Sequence, residues 1–172
     1  MCDGVTCRPE QPGDHEATRR VHQDAFGEEG GEAELVDALR ESGEHVPELC
    51  LVAEEGGEVV GHIVFSRAQL ESGHAVLALA PMAVLESWQR RGVGSLLIEE
   101  ALRLAAETDY PLVIVVGHPG YYPRFGFEPA AGHGVLAPWE VPAEAWMLLR
   151  LPADVPGARG LVRYPAAFDA FT

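Results

Sequence analysis

The stretch "ESWQRRGVGSLLIEEALRLAAE", residues 86–107, sets Arg90 and Arg91 beside Gly92 and Gly94, at the start of an apolar pattern with helical spacing. The first N–H groups of a helix have no internal partner, and the helix dipole adds about half a positive charge there, so acidic side chains are the ordinary choice. Arginines at that end imply an anionic guest. Glycines let the backbone approach a ligand closely, and free amides joined to guanidinium charge make a pyrophosphate the natural one. On spacing alone, a tight turn with solvated arginines is the alternative.

A second group of chemical side chains lies in "GHPGYYPRFGFEPA", residues 117–130. It supplies two phenols, Tyr121 and Tyr122, and the imidazole of His118. A phenol with pKa near 10 is a proton donor at neutral pH, and an imidazole titrates where a base is useful. His118 ends an apolar run that reads as a strand, the place where α/β sheets hold their ligands. His62, His74, Glu71 and a water chain are the other candidate bases.

Other chemistries are excluded. All 12 basic residues are arginine, so neither a Walker A lysine nor a Schiff-base lysine exists. "GVGSLL" lacks the third glycine of the dinucleotide fingerprint, and no G-x-S-x-G elbow occurs. Cys2, Cys7 and Cys50 form neither a disulfide framework nor a Cys/His knot, and no metal site is expected. Cys50, inside an apolar strand, reads as a small core residue.

The formal charge of −15 argues against nucleic acid and against anionic membranes as partners, and favours cationic ones. With 172 residues, 47% hydrophobic and 23% charged, the chain suits one globular domain over residues 1–172. The acidic start "MCDGVTCRPE" lacks the features of a signal peptide, so a cytoplasmic location is expected. The assembly state is open between monomer and homodimer.

The elements that must position these groups follow from periodicity. Asp14 reads as the N-cap of a first helix carrying Ala17, Val21 and Ala25 and ending near Gly27; Leu35, Val36 and Leu39 mark a second, stopped by Gly43. "ELCLVAEE" and "EVVGHIVFSRAQL" form a hairpin about Gly56 and Gly57. "HAVLALAPMAVL" is a further strand, in which Pro81 requires a bulge. Val93, Leu96, Leu97, Ala101, Leu104 and Ala105 form the apolar stripe of the helix beyond the glycines, and "YPLVIVVGH" is a buried strand after it. Strand, helix, strand at this length is a βαβ unit with a parallel pair. "YYPRFGF" holds a helical turn, "AEAWMLLRL" a strand, and "GLVRYPAAFDAF" a C-terminal tail with an extended start.

Gln89-x-x-Gly92-x-Gly94 after "MAVLESW" resembles the acetyl-CoA pyrophosphate loop of the GNAT superfamily of N-acetyltransferases. "GHPGYYPRFGFEPA" and the closing "VRYPAAF" are similar to a branch of bacterial members. The resemblance covers most of the chain. It implies an α+β fold whose mixed central sheet, an antiparallel meander plus a parallel βαβ pair, is flanked by helices. It implies acetyl-CoA as co-substrate, cradled by Gln89, Arg90, Arg91, Gly92, Val93, Gly94 and Ser95, with Ala83 and Val84 offering backbone groups to the pantetheine arm. Tyr122, ahead of Gly126 and Phe127, takes the family's position beside the coenzyme sulfur, while Tyr121 is left a packing role. The implied reaction is direct attack of a primary amine, of a small molecule or peptide, on the thioester in a ternary complex. A catalytically silent coenzyme-A-binding regulatory module is the rival expectation, and a nucleotide-binding structural protein a more distant one.

Overall fold

The computed structural model describes residues 4–171; Cys2 lies outside that range. Strand β1 (Thr6–Pro9) precedes helices α1 (His15–Phe26) and α2 (Glu32–Ser42). Then come β2 (Leu51–Glu55), β3 (Glu58–Leu70), β4 (Ala75–Val84), α3 (Val93–Ala105) and β5 (Leu112–Val116). The remainder holds the short strands β6 (Glu128–Pro129) and β7 (Val135–Leu136), then β8 (Trp146–Arg150) and β9 (Gly160–Arg163). The sheet runs β1-β2-β3-β4-β5-β8-β6, with β9 pairing β3 and β7. No helix among the described residues is long and apolar enough to cross a membrane.

Strand β1, like the two-residue strands β6 and β7, is an element that the sequence did not announce, because "TCRP" is too short and polar to show alternation. It pairs antiparallel with β2 and places Cys7 against the core. Asp14 does occupy the N-cap of α1, but its carboxylate caps nothing there. It accepts two hydrogen bonds from Arg8, at 2.7 and 2.8 Å, and one from the Gln11 N–H. The Arg8 guanidinium holds that carboxyl down, to about 2.

Two features of β4 shape the clefts on either side of it. Ile63 pairs Met82 while Phe65 pairs Leu79, so Ala80 and Pro81 together face Val64 alone. This is the bulge that a proline without an N–H requires. Parallel pairing with β5 covers only Leu77↔Val113 and Ala78↔Ile114. Beyond Ala78 the two strands diverge, and the edge of β4 from Leu79 to Val84 has no ladder partner on the β5 side.

One core lies between the sheet and α3, built from residues such as Phe65, Leu77, Leu97, Ile98 and Val113. Helix α3 buries Val93, Leu97, Ile98, Ala101 and Ala105, while Leu96 and Leu104 of the expected stripe are half-buried. Gly61 on β3 allows this close approach, since a β-carbon there would stand 3.0 Å from the Val93 and Leu97 side chains. On the other face α2 packs Leu35, Val36 and Leu39 onto Cys50, Val64 and Phe168. The Cys50 thiol donates to the Val46 carbonyl, and burial pushes it up to about 12, as suits a core cysteine.

Candidate active site

A cleft of about 500 Å³ opens where β4, the loop after it, and the first turn of α3 meet. Met82, Ala83 and Val84 form its strand wall, and Gln89, Arg90, Gly92, Val93, Gly94 and Ser95 its helical end. Of the residues assigned to the coenzyme from sequence, only Arg91 is not part of the lining. Its guanidinium lies 4.7 Å from the centroid of the Trp88 ring, a cation–π stack that stiffens the loop.

The backbone of this loop gathers donors and positive field at one place. Arg90 adopts φ 63 and Gly92, the N-cap of α3, adopts φ 87. Left-handed arginine costs energy and is retained where surrounding structure demands it. No side chain caps α3 and no acidic residue occupies its first turn, whereas α1 and α2 carry Glu16 and Glu32 there. The helix end therefore keeps its unpaired donors and its positive field. The Gln89 amide, donating to the Val84 carbonyl at 3.0 Å, ties the loop to β4. Asp24 accepts the Glu86 N–H at 2.7 Å and ties it to α1.

Sequence reasoning missed Phe26, Trp88, Tyr121 and Arg124, all of which line the cleft. The packing role expected of Tyr121 is only part of its placement, because its hydroxyl lies 3.1 Å from Ser95 Oγ at the helix end. Arg124 stacks on the Tyr121 ring at 4.7 Å and hydrogen-bonds the Tyr121 carbonyl, adding another guanidinium to the site. The signal was present in "YYPRF": a turn of helix brings Tyr121 and Arg124 to one side. Phe26, 43% exposed, is an apolar ring at the end of α1 left facing the cleft.

Tyr122 sits deeper, 9% exposed. Its ring is edge-on to Tyr121 and to Phe127, with centroids 5.3 and 5.6 Å away. It presses on Gly117 so closely that a β-carbon there would collide with it. Gly117 follows Val116, which lines a second cavity beyond β4. Tyr122 itself lines neither cavity; it packs against Tyr121, which lines the first, and against Gly117, next to the Val116 that lines the second. Burial pushes its phenol up to about 12, so it is protonated at neutral pH.

The candidate bases are placed elsewhere. His118 is exposed, and its Nδ1 accepts the Gly120 N–H at 3.0 Å. A neutral ring so engaged carries its proton on Nε2 and has no lone pair left to offer. Glu71 accepts the Leu161 N–H and His74 bonds Ser72, both in the β3–β4 turn at the far end of these strands. His62 is wholly buried on the α1 face of the sheet.

There His62 Nδ1 and His22 Nε2 are 2.9 Å apart, and His62 Nε2 lies 3.2 Å from Glu10, which also pairs with Arg40. Burial would raise the Glu10 carboxyl, but His62 and Arg40 outweigh it and hold it low. Burial depresses both histidines, His22 to about 3. The folded protein keeps His22 neutral while the unfolded chain protonates it near pH 6.5, so its stabilisation is present above that pH and lost below. Going from pH 7 to 5 should cost about 2 kcal/mol through His22 alone. Denaturant titration at both pH values tests this: His22→Gln should lose that much less than the parent, and equal losses would refute it.

A sequence model of the acetyltransferase (GNAT) family matches residues 15–127. The chain belongs to the GNAT acetyltransferase family. Among GNAT relatives, it is 39% identical over 152 residues to the N-acetyltransferase YjhQ of Escherichia coli K12, covering 84% of this chain and 83% of that one. It is 36% identical over 147 residues to the N-acetyltransferase YhbS of the same strain, covering 84% and 87%. The crystal structure of Escherichia coli YhbS in complex with CoA superposes with TM-score 0.89 at 33% identity, over 98% of this chain and 93% of that. A GNAT acetyltransferase of Brucella melitensis in complex with acetyl-CoA gives TM-score 0.78 at 33% identity, over 96% and 98%. The mixed sheet with its parallel β4–β5 pair is thus the GNAT fold, as the sequence implied.

Proposed function

We propose that the chain is an acetyl-CoA-dependent N-acetyltransferase that joins the acetyl group to a primary amine by direct attack in a ternary complex. The observation that carries this is β4. One strand edge, unpaired beyond Ala78, gives Met82–Val84 to the anion-binding cleft and Leu79–Pro81 to the cavity on the other side. Two reactants can approach each other across it. The relatives crystallised with CoA and with acetyl-CoA support acetyl-CoA as the co-substrate.

In this reading the pyrophosphate rests on the amides of the Gln89–Ser95 turn, with Arg90, Arg91 and Arg124 supplying charge that the acidic protein otherwise lacks. The pantetheine arm lies along Ala83 and Val84. The amine nitrogen forms a bond to the thioester carbonyl carbon, the tetrahedral oxyanion collapses, and the C–S bond breaks with its electron pair on sulfur. Tyr122 donates a hydrogen bond to that sulfur. None of the candidate bases lines either cavity, so the acceptor reacts as its free amine and its proton is lost to solvent.

Free thiol should appear from acetyl-CoA only when a primary amine is added, with initial-rate lines that intersect as a ternary complex requires. Parallel lines would exclude direct attack. Coenzyme binding without thiol release across a broad amine panel would return the chain to the silent coenzyme-A-binding module.

A further inference from the structure

The cavity beyond β4 has a volume of about 820 Å³, within the range of small-molecule sites. It lies between the start of α2, the β4 bulge, the end of β5 and the C-terminal segment, and its lining has a consistent chemistry. Trp139 and Tyr164 lie against each other, tilted by 39° with ring centroids 4.5 Å apart, and Phe168 meets Tyr164 edge-on at 4.9 Å. These rings form one aromatic wall. Val116 at the end of β5 is 43% exposed, an apolar strand residue that faces this space without a cover.

The charge is one-sided. Glu32 and Glu140 are the ionisable carboxylates of the lining, and no arginine or histidine accompanies them. Glu32 lines the cavity, and its Oε1, buried without a hydrogen-bond partner among the described residues, is the oxygen turned toward Gly30. A protein of charge −15 strengthens the preference for a cation. An amine that also carries a carboxylate or phosphate would bring its anion against these acids with nothing to pair it.

We infer that this cavity is the acceptor site and that it selects a primary amine on an apolar, aromatic-sized body, an arylalkylamine without carboxylate or phosphate. The ring of such a molecule covers Val116 and lies against Trp139, while Glu32 and Glu140 draw in its ammonium group, which gives its proton to solvent water before the free amine attacks beside β4. A peptide amine would carry polar backbone into the aromatic wall. The inference rests on the acetyl-transfer reading for its place in a reaction, but the ligand class stands on the lining itself.

The test uses 2-phenylethylamine as probe, with ethylamine lacking the ring and phenylalanine adding the carboxylate. Calorimetry of the whole protein should show 2-phenylethylamine binding at least about tenfold tighter than either, and kcat/KM in thiol release should follow the same order. Trp139→Ala should weaken that binding about tenfold and leave acetyl-CoA affinity unchanged. Val116→Arg, at a position 43% exposed and with folding checked by thermal denaturation, should do the same by placing a cation in the cavity. Probe binding that is retained in both variants overturns the inference, as does preferred acetylation of ethylamine, phenylalanine or a peptide. Trp139-dependent binding of the probe without thiol release from any amine would instead remove the acetyl-transfer reading and leave the ligand class standing.

Discussion

Gly92→Glu will lower acetyl-CoA affinity at least about 100-fold. Gly92 caps α3 at φ 87 and lines the cleft, so a glutamate there sets bulk and negative charge against the donors that face the pyrophosphate. The left-handed backbone adds roughly 1–2 kcal/mol of strain to the fold, which a domain of ordinary stability survives. Gly92→Asn separates the two effects, because asparagine tolerates this conformation without charge and should keep most of the affinity. Arg90→Ala and Arg91→Ala should each cost about 1–3 kcal/mol at most. The loss should be larger for Arg90, which lines the cleft, than for Arg91, which is stacked on Trp88. Unchanged calorimetric affinity in a folded Gly92→Glu protein would remove the site assignment.

The turn that opens α3 was legible because its signal is local. Glycine and arginine placement in "QRRGVG" states where the backbone must turn and where charge gathers, and no distant contact is needed to read it. The hairpin about Gly56 and Gly57 was legible for the same reason, and the bulge at Pro81 followed from a missing N–H. What depended on tertiary packing was not. The divergence of β4 from β5 after Ala78 is set by how the sheet twists, and no residue there announces it. Asp14 was placed at the right cap, but its partner Arg8 belongs to a strand too short to see. His62 read as a candidate base because periodicity cannot tell an inward histidine met by His22 and Glu10 from one that faces substrate. The cavity beyond β4 draws on α2, β4, β5 and the C-terminal segment, a meeting that only the fold creates.

Tyr122→Phe will lower kcat about 100-fold, with little change in acetyl-CoA affinity. The ring will still pack, since its contacts are with Tyr121, Phe127 and Gly117 and none requires the hydroxyl. The expected loss lies at the low end for an acid group for a stated reason. Burial pushes this phenol up to about 12, and an ordinary thiol titrates near 8.5, so complete proton transfer to the thiolate would be uphill by roughly 5 kcal/mol. The phenol therefore acts as a hydrogen-bond donor to charge developing on sulfur, and removing one such donor costs about 10²–10³ in rate. Gly117→Ala offers an independent check, because its β-carbon drives the ring from its seat while the hydroxyl remains. It should lower kcat in the same direction, with denaturation measured separately to show that the protein is folded. Tyr121→Phe should behave differently: its hydroxyl bonds Ser95 at the helix end, so its loss should raise KM for acetyl-CoA and spare kcat. A 100-fold loss of kcat in Tyr121→Phe beside full turnover in Tyr122→Phe would exchange the two roles and move the leaving sulfur to the Ser95 side of the cleft.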